Sequence, residues 1–430
     1  MHRIVIVGGG AGGLELATRL GDTLGRRRKA AITLIDRGRT HLWKPLLHEV
    51  AAGSMNIHAH QLDYLAQARW HNFTFVLGAL EGLDRAAHEV SVAAVREEDG
   101  IDVLPPRRVV YDTLVIAIGS QCNDFGTPGV KENAFTLDSS WEANLFHRRL
   151  VNACFRANYA ADGRVLNINI VGAGATGVEL SAELHNTIRV LTAYGLDQFD
   201  PEKQIRIRIV EAGPRILAGL PDYIADATLQ TLKELNVAVL CNERVVAIES
   251  DKVLTACGTT LPADFTIWAA GIKCADALSD LDGLECNRLN QLVVLSTLQT
   301  TRDADVFALG DCAACAWGEG RAVPPRAQSA HQQANHLVGA IKRRLANNRL
   351  EDFHYRDFGS LVSLGNYQSV GTLMGFVSKG SVRVEGLVAK LFYISLYKLH
   401  LWALHGFWRM ALDTLARMIK SQTEPRVKLH

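Results

Sequence analysis

The chain has 430 residues, 48% of them hydrophobic, enough for two or three ordinary domains with sizeable cores. A formal net charge of +1 excludes bulk nucleic-acid binding, and eight scattered cysteines give no disulfide framework. No run of about 18 apolar residues occurs, and the N-terminus lacks the pattern of a signal peptide, so neither a spanning helix nor a leader is expected.

The apolar run Ile4–Val7 leads into Gly8-Gly9-Gly10-Ala11-Gly12-Gly13, which reads as strand, tight turn and helix start. In such a G-x-G-x-x-G loop Gly8 makes the turn, Gly10 lets backbone approach a pyrophosphate, and Gly13 lets the helix pack close to the strand. Ala11 and Gly12 open a helix whose free N–H groups and dipole favour an anion. Asp36 ends the next strand, Ile32–Ile35, and suits ribose hydroxyls. The segment His41–Val50 has no cysteine, whereas disulfide reductases with such loops commonly carry a redox pair there. Tyr111–Ser120 reads as a buried strand closing on a glycine turn at Gly119, and the polar stretch Cys122–Glu132 leads out of the first unit.

A second loop, Gly172-Ala173-Gly174-Ala175-Thr176-Gly177, follows Ile168–Val171, with Gly172, Gly174 and Gly177 in the three glycine positions. Glu211 ends the strand Ile205–Val210. The span from Gly172 to Glu211 exceeds the usual spacing of about 20 residues, so an inserted helix extension is expected over 185–203. Glu211 favours NADH over NADPH, because a carboxylate repels a 2′-phosphate; Arg215 stays open as a phosphate partner. Ala270 and Gly271 end a further strand and are counted among the cofactor positions. Two such loops in one chain point to two nucleotides held face to face, the arrangement that passes a hydride between a flavin and a nicotinamide.

The strand Val306–Leu309 ends in Gly310-Asp311, whose carboxylate suits a ribityl hydroxyl or, alternatively, a solvent-facing turn. Cys312 and Cys315 form a C-x-x-C and remain a second option for the electron acceptor. Pro324-Pro325-Arg326 opens a helix at Ala327, whose dipole would stabilise negative charge on a reduced flavin. On it Gln328, His331 and Gln332 are expected to share one face, either lining a polar pocket or solvated. From Leu387 onward seven lysines and arginines stand against Asp413 and Glu424, interleaved with Phe, Tyr, Trp and Leu. This pattern suits a helix lying in a membrane interface, or one packed on the enzyme's own core or a dimer partner. A membrane-surface enzyme holding reduced flavin points to a quinone as acceptor, and with no spanning helix there is no path for proton pumping.

Several of these stretches together resemble the bacterial type II NADH dehydrogenases, the single-subunit, non-pumping NADH:quinone oxidoreductases. They are the first loop through Leu20, His41-Leu-Trp-Lys-Pro-Leu-Leu-His-Glu-Val-Ala-Ala-Gly53, Gly172-Ala-Gly-Ala-Thr-Gly-Val-Glu-Leu-Ser-Ala-Glu-Leu184, Trp268-Ala-Ala-Gly-Ile-Lys273, Gly310-Asp311, Ala327-Gln-x-Ala-x-Gln332 and the basic end Arg426–His430. The resemblance covers essentially the whole chain. It implies an α/β fold of two Rossmann-like dinucleotide-binding domains, glutathione-reductase-like, the second inserted into the first. Residues 1–120 and 291–345 would bind FAD and 121–290 NADH, while 346–430 would form a membrane-associating region of amphipathic helices. It places Lys44-Pro45 against the isoalloxazine, Ala327, Gln328, Ala330 and Gln332 near flavin and quinone, Glu179 near nicotinamide and flavin, and Lys379 near the quinone. The expected reaction takes a hydride from NADH to FAD and two electrons on to the membrane quinone pool, with protons relayed through Gln328, Gln332, His331 or Glu179. The enzyme would sit peripherally on the cytoplasmic face of the inner membrane, against the lipid surface, with a homodimer left open. A soluble ferredoxin- or rubredoxin-type reductase and a non-catalytic redox sensor share the loops and remain alternatives.

Overall fold

A computed structural model describes residues 1–430 except 98–99, 161–162, 197, 319, 365–368, 375–380, 421–424, 426 and 429–430; Lys379 therefore lies outside the described residues. The chain builds one parallel unit twice. In the first, β1 (His2–Val7) runs into α1 (Ala11–Leu20), then β2 (Ala30–Asp36), α2 (Leu47–Ala52), α3 (Tyr64–His71), β3 (Thr74–Leu77) and β4 (Thr113–Ile116). In the second, β5 (Leu166–Val171) runs into α4 (Ala175–Ala193), β6 (Ile205–Val210), β7 (Ala238–Leu240) and β8 (Phe265–Trp268). The order β4-β1-β2-β3 in one sheet matches β8-β5-β6-β7 in the other, and every one of these pairings is parallel. Such strands are covered on both faces, which is why they read as unbroken apolar runs rather than alternating ones. Ile4, Ile6, Ile168 and Ile170 are fully buried, and each contributes about 1.5–3 kcal/mol by leaving water.

The first sheet is completed from later sequence. Beside β4 lies β9 (Asp303–Ala308), followed by the strands Gln299–Thr300, Leu292–Val294 and Ala313–Cys315. The second unit is thus an insertion, as the sequence indicates. Its exit comes earlier than the boundary drawn at 290: Cys274, Leu278, Leu281 and Leu284 already pack in the first core. The exchange is mutual, because Trp43, Leu46, Leu47 and Val50 of the first unit pack in the second core with Ile168 and Leu184. The long span to Glu211 has the expected cause, since α4 has 19 residues where α1 has 10, and a short helix, Pro201–Gln204, follows it.

Next, α5 (Ala327–Leu345) packs along α1. The C-terminal region is more than the helices read from sequence. A three-stranded antiparallel sheet, Gly359–Ser363, Ser369–Met374 and Ser381–Glu385, precedes α6 (Gly386–His405) and α7 (Phe407–Lys420). α6 lies against this sheet and against α1. Its inner face is Tyr393, Tyr397, His400 and Leu404, spaced by the helical repeat, while Leu391, Ile394 and Trp402 are exposed. Among the described residues no helix is long and apolar enough to cross a membrane.

Candidate functional site

Both glycine loops are built alike, and the reasons for their glycines divide into two kinds. Gly8 and Gly172 have φ of +106° and +104°, and a side chain on either would meet the neighbouring strand end, at Ala117 O and Ala269. A Cβ on Gly13 would stand 1.9 Å from Gly8 O, and one on Gly177 2.1 Å from Gly172 O. These four are required by the protein's own packing. Gly10 and Gly174 are different. Their backbone angles suit any residue, and a Cβ on either meets nothing within 4 Å. Nothing among the described residues demands glycine at these two positions, and a Cβ would fill the space in front of a helix N-terminus. That is the fit expected for a bound pyrophosphate. Ala11 and Gly12 begin α1 beside the first space; Ala175 and Thr176 are exposed at the mouth of the second.

The strand-end acids brace these loops symmetrically. Asp36 Oδ2 accepts from Gly9 N–H (2.6 Å) and Oδ1 from Gly38 N–H (2.7 Å). Glu211 Oε2 accepts from Ala173 N–H (2.8 Å) and Oε1 from Gly213 N–H (2.7 Å). Each oxygen keeps a lone pair for a ribose hydroxyl. Burial raises the Asp36 carboxyl above its ordinary value, against the two N–H bonds. Arg215 is committed elsewhere: it pairs with Asp222 and donates to Ala218 O and Leu220 O. It is not turned to a 2′-phosphate.

Four further expected positions, Lys44, Gly119, Gly310 and Asp311, meet at the domain junction. Lys44 Nζ donates to Ser120 O (2.7 Å), beside Gly119, and to Asp138 (3.1 Å). Ser120 Oγ donates to Asp311 Oδ2 (2.7 Å), and Gly310 N–H to Gln333 on α5 (2.7 Å). Ala270 packs against the small core beneath the second sheet, and Gly271, φ +63°, abuts Phe125. Cys312 and Cys315 are free and buried, and burial pushes their thiols up to about 12 and about 11. A buried thiol held in its protonated form is a poor nucleophile, which argues against the C-x-x-C as electron acceptor.

On α5, Gln328 and Gln332 grip one extended segment. Gln328 Nε2 donates to Gly359 O (3.1 Å), and Gln332 exchanges hydrogen bonds with both backbone groups of Arg356. His331 bonds a different neighbour. Its Nδ1 sits 2.6 Å from Glu15 Oε2 on α1, because that fully buried carboxylate needs hydrogen-bond partners and finds them in His331 and Arg19.

The strand that Gln328 holds at Gly359 reaches Glu179 at its other end, where Ser363 N–H donates to Glu179 Oε1 (3.0 Å). Glu179 is buried on α4 and its Oε2 lies 3.7 Å from His48 Nδ1 on α2. Burial pushes the Glu179 carboxyl up to about 8, Glu49 and Glu183 adding to it, and pushes His48 down to about 4. Burial thus favours the uncharged form of both the acid and the imidazole. Tyr393 brings a buried hydroxyl from α6, raised well above its ordinary value by burial and by the same carboxylates. His48, Ser363 and Tyr393 were given no role in the sequence; in the stretch from His41 to Gly53 only Lys44 and Pro45 were.

Residues 2–334 match the pyridine nucleotide-disulphide oxidoreductase family. Over its whole length the chain is 42% identical to the type II NADH:quinone oxidoreductase of Haemophilus influenzae, covering all of that protein. It is 30% identical to that of Staphylococcus aureus over 87% of this chain and 90% of the relative. Among solved structures, NDH2 from Plasmodium falciparum in complex with NADH superposes with a TM-score of 0.81 at 19% identity, covering 99% of both chains. The sulfide:quinone oxidoreductase of Aquifex aeolicus superposes at 0.73 and 20% identity, over 94% of this chain and 91% of that one. The structural likenesses establish the fold and the sequence matches go further: the chain belongs to the type II NADH:quinone oxidoreductases, within the pyridine nucleotide-disulphide oxidoreductase family.

Proposed function

We propose that the chain is an NADH:quinone oxidoreductase that works from a membrane surface, with FAD in the first cradle and NADH in the second. The observation that carries this reading is the pair of open positions at Gly10 and Gly174, each at a helix N-terminus and each without a reason among the described residues. When bound, FAD supplies the hydride acceptor for NADH and the two-electron donor for the quinone. The net reaction is NADH + H⁺ + quinone → NAD⁺ + quinol.

The chain's own groups position the reactants and hold a proton. Ala327, at the positive end of the α5 dipole, packs against the second core and so sits at the junction of the two domains, where it stabilises negative charge. Glu179 Oε1 accepts the Ser363 N–H, which leaves Oε2 as the better place for a carboxyl proton. That proton is available to a quinone bound beside the strand Gly359–Ser363. The ferredoxin-type alternative is not favoured, because the relatives at 42% and 30% identity are quinone oxidoreductases.

Peripheral membrane attachment is supported by α7. Trp408, Leu412, Leu415 and Ile419 form an exposed apolar stripe, flanked by Arg409, Arg417 and Lys420. α3 extends it with exposed Leu65 and Trp70, the latter under the Arg409 guanidinium. Arg417 also donates to Ala59 O (2.6 Å), which fixes α7 to the first domain. Eight free cysteines support a reducing compartment and hence the cytoplasmic face.

Anaerobic mixing of the purified protein with NADH tests the hydride step: the flavin absorbance bleaches, and a flavin that stays oxidised refutes it. A short-chain quinone then restores the absorbance; no reoxidation refutes the acceptor.

A further inference from the structure

The carbonyl of Gly9, inside the first glycine loop, is held from two sides. Tyr64 Oη donates to it at 2.7 Å and His41 Nδ1 stands 2.9 Å from it. Two donors use both of its lone pairs. The same residue's N–H is held by Asp36. A trans peptide is planar, with its C=O and N–H on opposite sides. Fixing the Gly9 C=O inward therefore turns the Gly10 N–H outward, away from the side occupied by His41 and Tyr64.

His41 is itself held by a residue far along the chain. Its Nε2 lies 2.9 Å from Nε2 of His400, on the inner face of α6. A carbonyl only accepts, so His41 Nδ1 carries the hydrogen and its Nε2 is bare. His400 Nε2 must then be the donor. One tautomer of each ring fits, and burial keeps both neutral, pushing His41 down to about 4 and His400 well below its ordinary value. Trp43 stacks on the other ring, its centroid 6.2 Å from that of His400 with the planes 20° apart.

We propose that His400 is a positioning residue for FAD, acting through His41 and the Gly9 carbonyl, so that the seating of α6 and the retention of FAD are one linked equilibrium. The proposal rests on FAD occupying the first cradle. The link joins the C-terminal helix pair, whose outer faces are apolar and exposed, to the loop that faces the pyrophosphate. Coupling of this kind is reciprocal: what FAD gains from a seated helix, the helix gains from FAD.

The test uses the full-length holoenzyme, His400→Phe and His400→Gln. The glutamine amide can donate where the histidine did; phenylalanine fills the space without a donor. Release of FAD is followed by the growth of free-flavin fluorescence. Losing one hydrogen bond predicts release about twofold to tenfold faster from H400F. H400Q returns to near the wild-type rate, and KM for NADH stays unchanged in both because the second loop is untouched. Independently, amide hydrogen exchange over residues 391–405 of the wild type slows when FAD is added to apoprotein. H400F that releases FAD at the wild-type rate, H400Q that releases it as fast as H400F, or exchange that ignores FAD overturns the proposal. If H400F does not fold, the wild-type exchange measurement decides alone. A wild-type protein that holds no FAD at all would refute the cofactor assignment instead.

Discussion

Glu179 Oε2 lies 3.7 Å from His48 Nδ1, and burial drives the two groups in opposite directions, the acid up to about 8 and the imidazole down to about 4. The unfolded Glu179 carboxyl titrates near 4.5, so folding takes up a proton between 4.5 and about 8. Stability then falls as pH rises through that window. His48 acts in the opposite sense: its stability term is present above 6.5 and is lost as pH falls toward 4. Glu179→Gln removes the alkaline fall, so thermal melts at pH 6 and pH 9 differ less for E179Q than for the wild type. Quinone reduction by the wild type declines above pH 8 as the acid loses its proton, whereas E179Q is slower by about a hundredfold and flat with pH. A wild-type pH profile that E179Q reproduces would remove Glu179 from the proton path.

The two kinds of loop glycine predict opposite outcomes for the same substitution. Gly10→Ala and Gly174→Ala place a methyl where no protein atom lies within 4 Å. As apoproteins both variants melt like the wild type. G10A binds FAD more weakly, and G174A raises KM for NADH while keeping its FAD. Gly13→Ala forces a Cβ against Gly8 O and costs about 1–3 kcal/mol of stability. Calorimetry with flavin content separates the classes; a G10A protein that loses stability but keeps its FAD affinity contradicts the cradle.

The burial of Cys312 and Cys315 predicts that neither thiol takes part in turnover. Iodoacetamide at neutral pH leaves both unlabelled, because their thiolates are scarce, and NADH:quinone activity persists in Cys315→Ser. Peptide mapping after labelling checks this. Loss of activity in step with modification of either residue would restore the C-x-x-C as an acceptor.

What the sequence made legible was local. Each glycine loop, its strand and its acid lie within one βαβ unit, and the apolar runs of a sheet buried on both faces announce themselves. The contacts that assemble the centre are long-range. Glu179 meets Ser363 through a strand that periodicity did not reveal, and His41 meets His400 across most of the chain. Helical spacing relates His331 to Gln328 and Gln332 but is silent on which neighbour each will find. The buried Glu15 on α1 settled that for His331. The early return at Cys274 was hidden for a related reason, since an apolar residue carries no mark of which of two adjoining cores receives it.

The stripe on α7 makes the membrane reading quantitative. Leu412 and Leu415 are exposed and lie one helical turn apart, clear of both cradles. Each leucine moved into an acyl boundary is worth about 1.5–3 kcal/mol, and each basic residue near an anionic leaflet about 1 kcal/mol. The apolar stripe therefore supplies more of the attachment than Arg409, Arg417 and Lys420 do, and Asp413, paired with Arg417, offsets part of their charge. Replacing both leucines by aspartate should lower partitioning onto phosphatidylglycerol vesicles by about a hundredfold or more. Raising the salt on the wild type should weaken it far less, because only the charged share is screened. Turnover with a water-soluble short-chain quinone should be unchanged, since Leu412 and Leu415 touch neither nucleotide loop. Co-sedimentation of the wild type and Leu412→Asp/Leu415→Asp with these vesicles measures the difference, and equal binding by the two would place the membrane contact elsewhere on the molecule.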